Sequence, residues 1–311
     1  LPRGRIAATG RGLSFALTVK SKTKANSMAY WGPHILNGLS FGALLFLLSS
    51  GFTLAFGLMK VINIAHGSFY MLGAYVALWV VKLSGNFVLA IIAGALVVGI
   101  LGIVTEEFLL KRFHMKDLSQ ILLTMGLAYV IAEMSLIFWG GEPMVMATPK
   151  WLRGAASLGP IYYPKYRLFV IAVAALVAVG LWLLLAKSRI GAFVRACVDD
   201  EEMASAMKIN TRLLFVVMFG FSALLAGLGG AISAPYVGAY PGLDFEILPL
   251  ALVVCILGGL GSLGGAVVGS LFVGIVDALG KAMFPELSYF TLFVPMIVVL
   301  AIKPTGLFGR E

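Results

Sequence analysis

Between residues 33 and 302 the chain is a succession of apolar runs, most of them about as long as a bilayer is thick, and this leaves little choice of fold. At 1.5 Å per residue a helix of about 20 residues crosses the ~30 Å hydrocarbon layer. Such runs stand at 33–57, 62–81, 87–110, 118–138, 168–186 and 213–232, followed by a broken pair around 247–280 and a last run at 289–302. Composition agrees: 60% of the residues are hydrophobic, 12% are charged and the mean hydropathy is +1.01, whereas a soluble domain carries roughly a quarter charged residues. The expected fold is all-α, a polytopic transmembrane helical bundle with some helices broken or re-entrant, in which residues 28–311 form one domain.

The charges between the runs orient it. Lys111, Arg112 and Lys116 lie between the third and fourth runs, Lys187, Arg189, Arg195, Lys208 and Arg212 between the fifth and sixth, and Lys303 and Arg310 at the end. Alternation of sides puts all three groups on one face, which the positive-inside rule names as cytoplasmic. The segment 139–167, rich in Gly, Pro and Tyr, then falls outside. Residues 1–27 hold six basic residues and no acid. By the same alternation this leader would be external, against the rule. The chain begins without Met, and Met28 immediately precedes Ala29 and the interfacial aromatics Tyr30 and Trp31, so the expectation is that the native protein starts at Met28 and that 1–27 is a disordered or extraneous basic leader. Without the leader, 17 basic residues face 14 acidic ones, and the net charge gives no reason to expect nucleic acid as a partner.

Three stretches stand apart from the hydrocarbon. Residues 195–210, RACVDDEEMASAMKIN, are polar and densely charged, and must lie outside the membrane. Read as a helix they place Ala196, Met203, Ala206 and Met207 at spacings of three, four and seven, with Asp199, Asp200, Glu201 and Glu202 near the helix start, where negative charge suits the macrodipole. Two readings stay open, a docking handle and an ordinary loop helix. Residues 61–73, VINIAHGSFYMLG, bring Asn63, His66 and Ser68 into the start of an apolar span. Polar groups at that depth mark a pathway or a helix break, although His66 alone is also explained as a hydrogen-bonded structural imidazole. Residues 258–269, GGLGSLGGAVVG, read either as two half-helices joined by an exposed turn that offers backbone groups to a substrate, or as glycines that let helices pack closely. Gly67-Ser68 and Gly261-Ser262 each precede an apolar helix, a faint hint of an internal repeat.

The remaining reactive residues read quietly. Glu106 and Glu107 sit beside Lys111 and Arg112, where i,i+4 pairs explain them. Glu133, about two thirds along the fourth run, should face the bundle or a wet cavity, either as a structural hydrogen-bonding group or to hold a substrate amine. Cys197 and Cys255 are too different in depth to pair. His34, His66 and His114 have no His or Cys partner at ligand spacing, and no Walker pattern occurs, so neither an intramembrane enzyme nor an ATP site is expected.

Taken together, NGLSFGALLFLLSSGFTLAFGLMKVINIAHGSFYMLGAYVA at 37–77, LLTMGLAYVI at 122–131, RACVDDEEMASAMKIN at 195–210, VVCILGGLGSLGGAVVG at 253–269 and KPTGLFG at 303–309 resemble the branched-chain amino-acid permease family of ABC importers, in particular its H-type subunit. The resemblance implies a type II importer-like permease in a bacterial inner membrane. Its implied partners are a second permease of the M type, two cytoplasmic ATPase subunits of the G and F types, a periplasmic substrate-binding protein and membrane lipid. No cofactor is implied in this chain, since ATP and Mg belong to the ATPases. The charged stretch becomes an ATPase-coupling helix, with Arg195, Asp199 and Glu202 for polar contacts and Ala204 as a small seating residue. A substrate pathway is implied near Asn63, His66, Ser68, Glu133, Gly258, Gly259, Gly261 and Ser262. Two departures from the family pattern stand out: Lys208 occupies a position commonly held by Gly, and Leu45 one often held by Tyr. The cargo is therefore branched-chain amino acids or a related small solute such as urea, short amides or aromatic acids. The competing expectation is an ion-coupled secondary transporter, disfavoured because no chain of buried carboxylates is apparent.

Overall fold

A computed structural model of the chain describes residues 9–60, 63–113, 117–159, 161–303 and 305–309. Among them are eleven α-helices: α1 (Thr9–Met59), α2 (His66–Ser84), α3 (Phe87–Phe108), α4 (Asp117–Trp139), α5 (Lys165–Lys187), α6 (Arg189–Asp199), α7 (Glu201–Ala206), α8 (Thr211–Ser233), α9 (Leu243–Gly258), α10 (Leu263–Met283) and α11 (Ser288–Ile302). A hairpin of β1 (Ala155–Leu158) and β2 (Ile161–Pro164), with Ala155 opposite Pro164, occupies the loop between α4 and α5. Among the described residues seven helices are long and apolar enough to cross a membrane: α1 over Trp31–Gly57, then α2, α3, α4, α5, α8 and α10. The chain is a multi-pass membrane protein. At 16 and 15 residues, α9 and α11 reach only about 24 and 22 Å, short of the hydrocarbon thickness.

Burial separates the helices into two groups. The spanning windows of α1, α8 and α2 are 83%, 67% and 61% buried inside the chain, those of α4 and α5 only 22% and 17%. The core therefore sits where α8 packs on α1, α2 and α3, with α10 along the other flank of α1. Small residues make this possible. A methyl on Gly230 would stand 1.8 Å from the Tyr70 carbonyl oxygen, and one on Gly73 would stand 2.4 Å from that of Gly227. Lipid tails offer helices no hydrophobic reason to associate, so close backbone approach and the dispersion contacts it brings hold such a bundle together.

Most helix limits fall within three residues of the hydropathy runs, with two differences. The second run begins at 62, yet α2 starts only at His66, because Asn63, Ile64 and Ala65 form a turn in which the His66 amide donates to the Asn63 carbonyl at 3.2 Å. At the other end of the chain, α1 begins at Thr9. Residues 9–27 continue this helix ahead of the first span; residues 1–8, Lys116 and His114 lie outside the described residues.

Candidate functional site

The break before α2 sits deep in the bundle. His66 Nε2 lies 2.9 Å from the carbonyl oxygen of Leu48, which is about 16 Å up α1 from its Met59 end at the helical rise. A ring nitrogen facing a carbonyl must donate, so this contact holds the imidazole in its Nε2–H form. The ring also meets Phe52 edge-on at 5.5 Å. Beside it the Ile64 amide donates to Thr124 Oγ1 at 3.2 Å, tying the turn to α4.

The first turn of α9 arrives at the same place. Ser68 Oγ donates to Asp244 Oδ2 at 2.7 Å, and a methyl on Gly67 would stand 2.4 Å from the Asp244 carbonyl oxygen. Both side chains are buried. Asp244 thus lies in the first turn of its own helix and against the first turn of α2, and two partly positive helix ends offset a carboxylate that the interior would otherwise disfavour. Among the described residues, Asp244 Oδ1, both amide atoms of Asn63 and His66 Nδ1 are buried with no protein partner. This polar knot at the start of α2 holds Asn63, His66, turned to α1, and Ser68, turned to α9. It adds Asp244 and Thr124, which the sequence reading passed over; an acid two residues after Gly242, at the head of an apolar run, was the signal for the first.

The glycine stretch lies elsewhere. α9 ends at Gly258, residues 259–262 turn, and Ser262 caps α10 by accepting from the Gly265 amide at 3.1 Å. Gly259 and Gly261 have φ of 100° and 80°, a region open to glycine without strain. The carbonyls at the end of α9 are already engaged: Leu307 and Phe308 amides of the C-terminal tail donate to Leu257 and Gly258 at 2.9 and 3.0 Å. Methyls on Gly258 and Gly265 would each fall within 2.3 Å of the other's backbone. The turn and the close packing, posed as alternatives, therefore coexist, and neither brings Gly258, Gly259, Gly261 or Ser262 to the knot at Asp244. Ser68, inside the first turn of α2, is not the capping counterpart of Ser262, and the hinted repeat goes no further.

On the basic face the charged stretch folds as an elbow of two helices rather than one. Asp200 is extended, with φ −157°, and its Oδ1 accepts from the Met203 amide at 2.9 Å, so it ends α6 and caps α7. Glu201 and Glu202 then occupy the first turn of α7, where they suit the helix dipole. Asp199 and Glu202 are exposed, as are Met203 and Met207. Arg195 donates to the Leu185 carbonyl and closes the end of α5, while Ala204 turns inward and is buried in the chain's own core. Cys197 is free, and burial followed by the charge of Glu201 pushes its thiol above the ordinary range. Beside the elbow opens a cleft of about 920 Å³ between Glu201, Glu202, Lys111, Arg112 and Arg212; Glu107 holds Lys111 and Arg212, each at 2.5 Å.

This succession of spans, break and elbow is matched over residues 34–300 by the family model described as "Branched-chain amino acid transport system / permease component". The chain belongs to this family. BraD, a high-affinity branched-chain amino acid transport system permease protein of Pseudomonas aeruginosa, is 26% identical over 291 residues, 89% of this chain and 95% of its own. The protein LivH of Escherichia coli K12, of the same description, is 26% identical over 298 residues, 90% and 96% of the two chains. The ribose import permease protein RbsC of E. coli K12 is 24% identical over 278 residues, 82% and 79%. No solved structure matches the chain significantly.

Two features of this branched-chain permease family member follow from its own coordinates. Lys208 adopts φ 64°. It is the turn residue after α7, its amide donating to the Ser205 carbonyl at 2.9 Å while Ile209 donates to Ala204 at 3.2 Å. Glu133 sits on α4 facing outward, beside Tyr129, Val130 and Ile137, which are also exposed. Glu133 therefore points away from the chain's own core, and of the two expected surroundings, the bundle or a wet cavity, it does not take the first within this chain.

Proposed function

We propose that the chain is the passage-forming subunit of an ATP-driven importer of the bacterial inner membrane, carrying branched-chain amino acids or a close small solute. In this reading two cytoplasmic ATPase subunits grip the α6–α7 elbow, a periplasmic binding protein delivers the solute, and a second permease completes the passage against the outward face of α4. The single observation that carries it is the elbow. An acidic, methionine-bearing pair of short helices stands outside the bundle, rooted in α5 through Arg195 and in α8 through Asn210, whose Oδ1 accepts from the Leu213 amide at 3.0 Å. A push on Asp199, Glu202 or Met203 is thereby delivered to two spans at once, and partners that contact the two states differently bias their balance. ATP and Mg belong to the ATPases.

Glu133 supports the second permease. A charged group on a face turned to lipid costs about 2.5–3.5 kcal/mol at mid-span, so a partner surface or a wet passage accounts for it better. Secondary transport by an ion gradient would call for linked buried acids. The buried carboxylates among the described residues, Glu106, Asp244 and Asp277, are spread over the inner cleft, the knot and the opposite face.

The reading is tested by reconstituting the chain in vesicles with and without its companions. Leucine accumulation is expected only with the second permease, the ATPases, the binding protein and ATP. Accumulation by the chain alone on an ion gradient would overturn it.

A further inference from the structure

Opposite the elbow, α1, α5, α10 and the loop after α8 line a half-open cavity of about 300 Å³ that includes Asn37, Phe41, Arg167, Tyr236, Asp277 and Lys281. That is the lower end of small-ligand site volumes, about 300–1,000 Å³. Three ionic groups face it. Lys281 Nζ donates to Asp277 Oδ2 at 2.7 Å and lies 5.3 Å above the Phe41 ring. The Arg167 guanidinium stacks 4.6 Å over Tyr236 and donates to Asn37 Oδ1, which also accepts from Tyr163 OH at 3.2 Å. Arg167 is thus fixed in plane and in direction by an aromatic face and an amide, while much of its five-donor fork has no partner to satisfy within the pair. Asp277 is buried, with Lys281 as its partner.

We infer that this cavity is an external binding site for a small zwitterion, an α-amino acid whose carboxylate lies between Arg167 and Lys281, whose ammonium lies at Asp277 and whose side chain rests on Phe41 and Ala278. Two cations and one anion around an amino-acid-sized space complement both charges of such a molecule. A neutral sugar or urea would leave the Arg167 charge unmatched and the Lys281–Asp277 pair closed on itself. The i,i+4 pair of Lys281 and Asp277 explains itself as a helix ion pair, but it does not explain why an arginine on another helix is held facing the same space. The inference rests on the proposed amino-acid cargo, and places a first contact for it on the outer face, ahead of the knot at Asp244.

The test uses the full chain in phosphatidylcholine nanodiscs and equilibrium dialysis of radiolabelled leucine. Saturable binding is expected near millimolar. Arg167→Gln and Lys281→Gln should each weaken it about tenfold, the loss of one charge-assisted contact of roughly 1.4 kcal/mol, while Arg167→Lys retains part of it. Leucine amide and 4-methylpentanoate, each lacking one charge, should compete at least tenfold worse. Asp277→Asn should remove the handicap of 4-methylpentanoate alone, a change of selectivity that misfolding does not produce. Unchanged leucine binding in Arg167→Gln and Lys281→Gln, or no saturable binding to the folded chain, would overturn the site. So would displacement of leucine by phosphatidylglycerol, which would assign the cations to a lipid phosphate. Leucine uptake by the complete importer, measured separately, shows whether the cargo or only this site is in error.

Discussion

The interior of the bundle and its perimeter are built by opposite rules. Where α2, α3 and α8 cross, backbone meets backbone: Gly73, Gly94, Gly227 and Gly230 each have a neighbour where a methyl would stand at under 3 Å. On α4 and α5, Gly126 and Gly180 have nothing within 4 Å, and Leu122, Ile137, Leu176 and Trp182 point outward. The lesson is that glycine in a membrane helix has two meanings. In the interior it is a contact surface that fixes the crossing; on the perimeter it is only a weak helix former, in a helix held by hydropathy and by whatever covers its outer face.

The sharpest way to break this contrast is to add a side chain at one glycine of each kind. Gly230→Val pushes into the Tyr70 carbonyl and the start of the next turn at Ala74, and should cost more than about 3 kcal/mol, seen as loss of the monodisperse folded protein on size exclusion. Gly180→Ala should instead stabilise by about 0.5–1 kcal/mol through helix propensity, raising the thermal midpoint. Should Gly180→Ala prove as harmful as Gly230→Val, α5 is packed against a neighbour and belongs with the interior.

Next in size is the polar knot, where the interior takes in the carboxylate of Asp244. Asp244→Ala removes the acceptor of Ser68 and the charge that two helix ends favour, at about 1–3 kcal/mol. Asp244→Asn keeps an acceptor and should lose less than half of that. Thermal unfolding of the two variants separates them, and equal losses would show that the charge rather than the hydrogen bond matters.

Much of this was legible in the sequence, and the illegible parts share a cause. Span limits were legible because each span is one hydrocarbon run, and Glu107 could be paired with Lys111 because the two are four residues apart. Asp244 was not, because its partner Ser68 lies 176 positions away and no periodicity links them. The polar residues of 61–73 announced a break, but its place was hidden because Ile64 and Ala65 are as apolar as a helix, and hydropathy cannot tell a turn at depth from a span. Neither the inward turn of Ala204 nor the closure of α5 by Arg195 was legible in the sequence. Which way a residue turns is decided by the tertiary neighbours of α6 and α7. The Arg167 and Asp277 cavity was missed altogether, since its walls come from α1, α5, α10 and the loop after α8.

The perimeter is probed by Glu133. Glu133→Gln removes the charge and keeps the shape, so the folded chain should be unchanged in thermal midpoint while uptake by the assembled importer falls several-fold. Full uptake would return this face of α4 to lipid and remove it from the passage.

The smallest effect is expected at the elbow, which belongs to neither region. Lys208 holds φ 64°, a conformation that costs a residue with a side chain about 1–2 kcal/mol and glycine almost nothing. Part of that gain is lost to the greater freedom of glycine in the unfolded chain, so Lys208→Gly should stabilise the turn by about 1 kcal/mol. The elbow opens locally, as exposed short helices do, and a local readout is needed. Hydrogen exchange at the Lys208 and Ile209 amides, which bond to Ser205 and Ala204, should slow about fivefold, the equivalent of that energy at 25 °C. Unaltered exchange at those two amides would mean that contacts of the lysine side chain offset the backbone strain, and that the elbow is tied to the bundle more firmly than its exposed surface indicates.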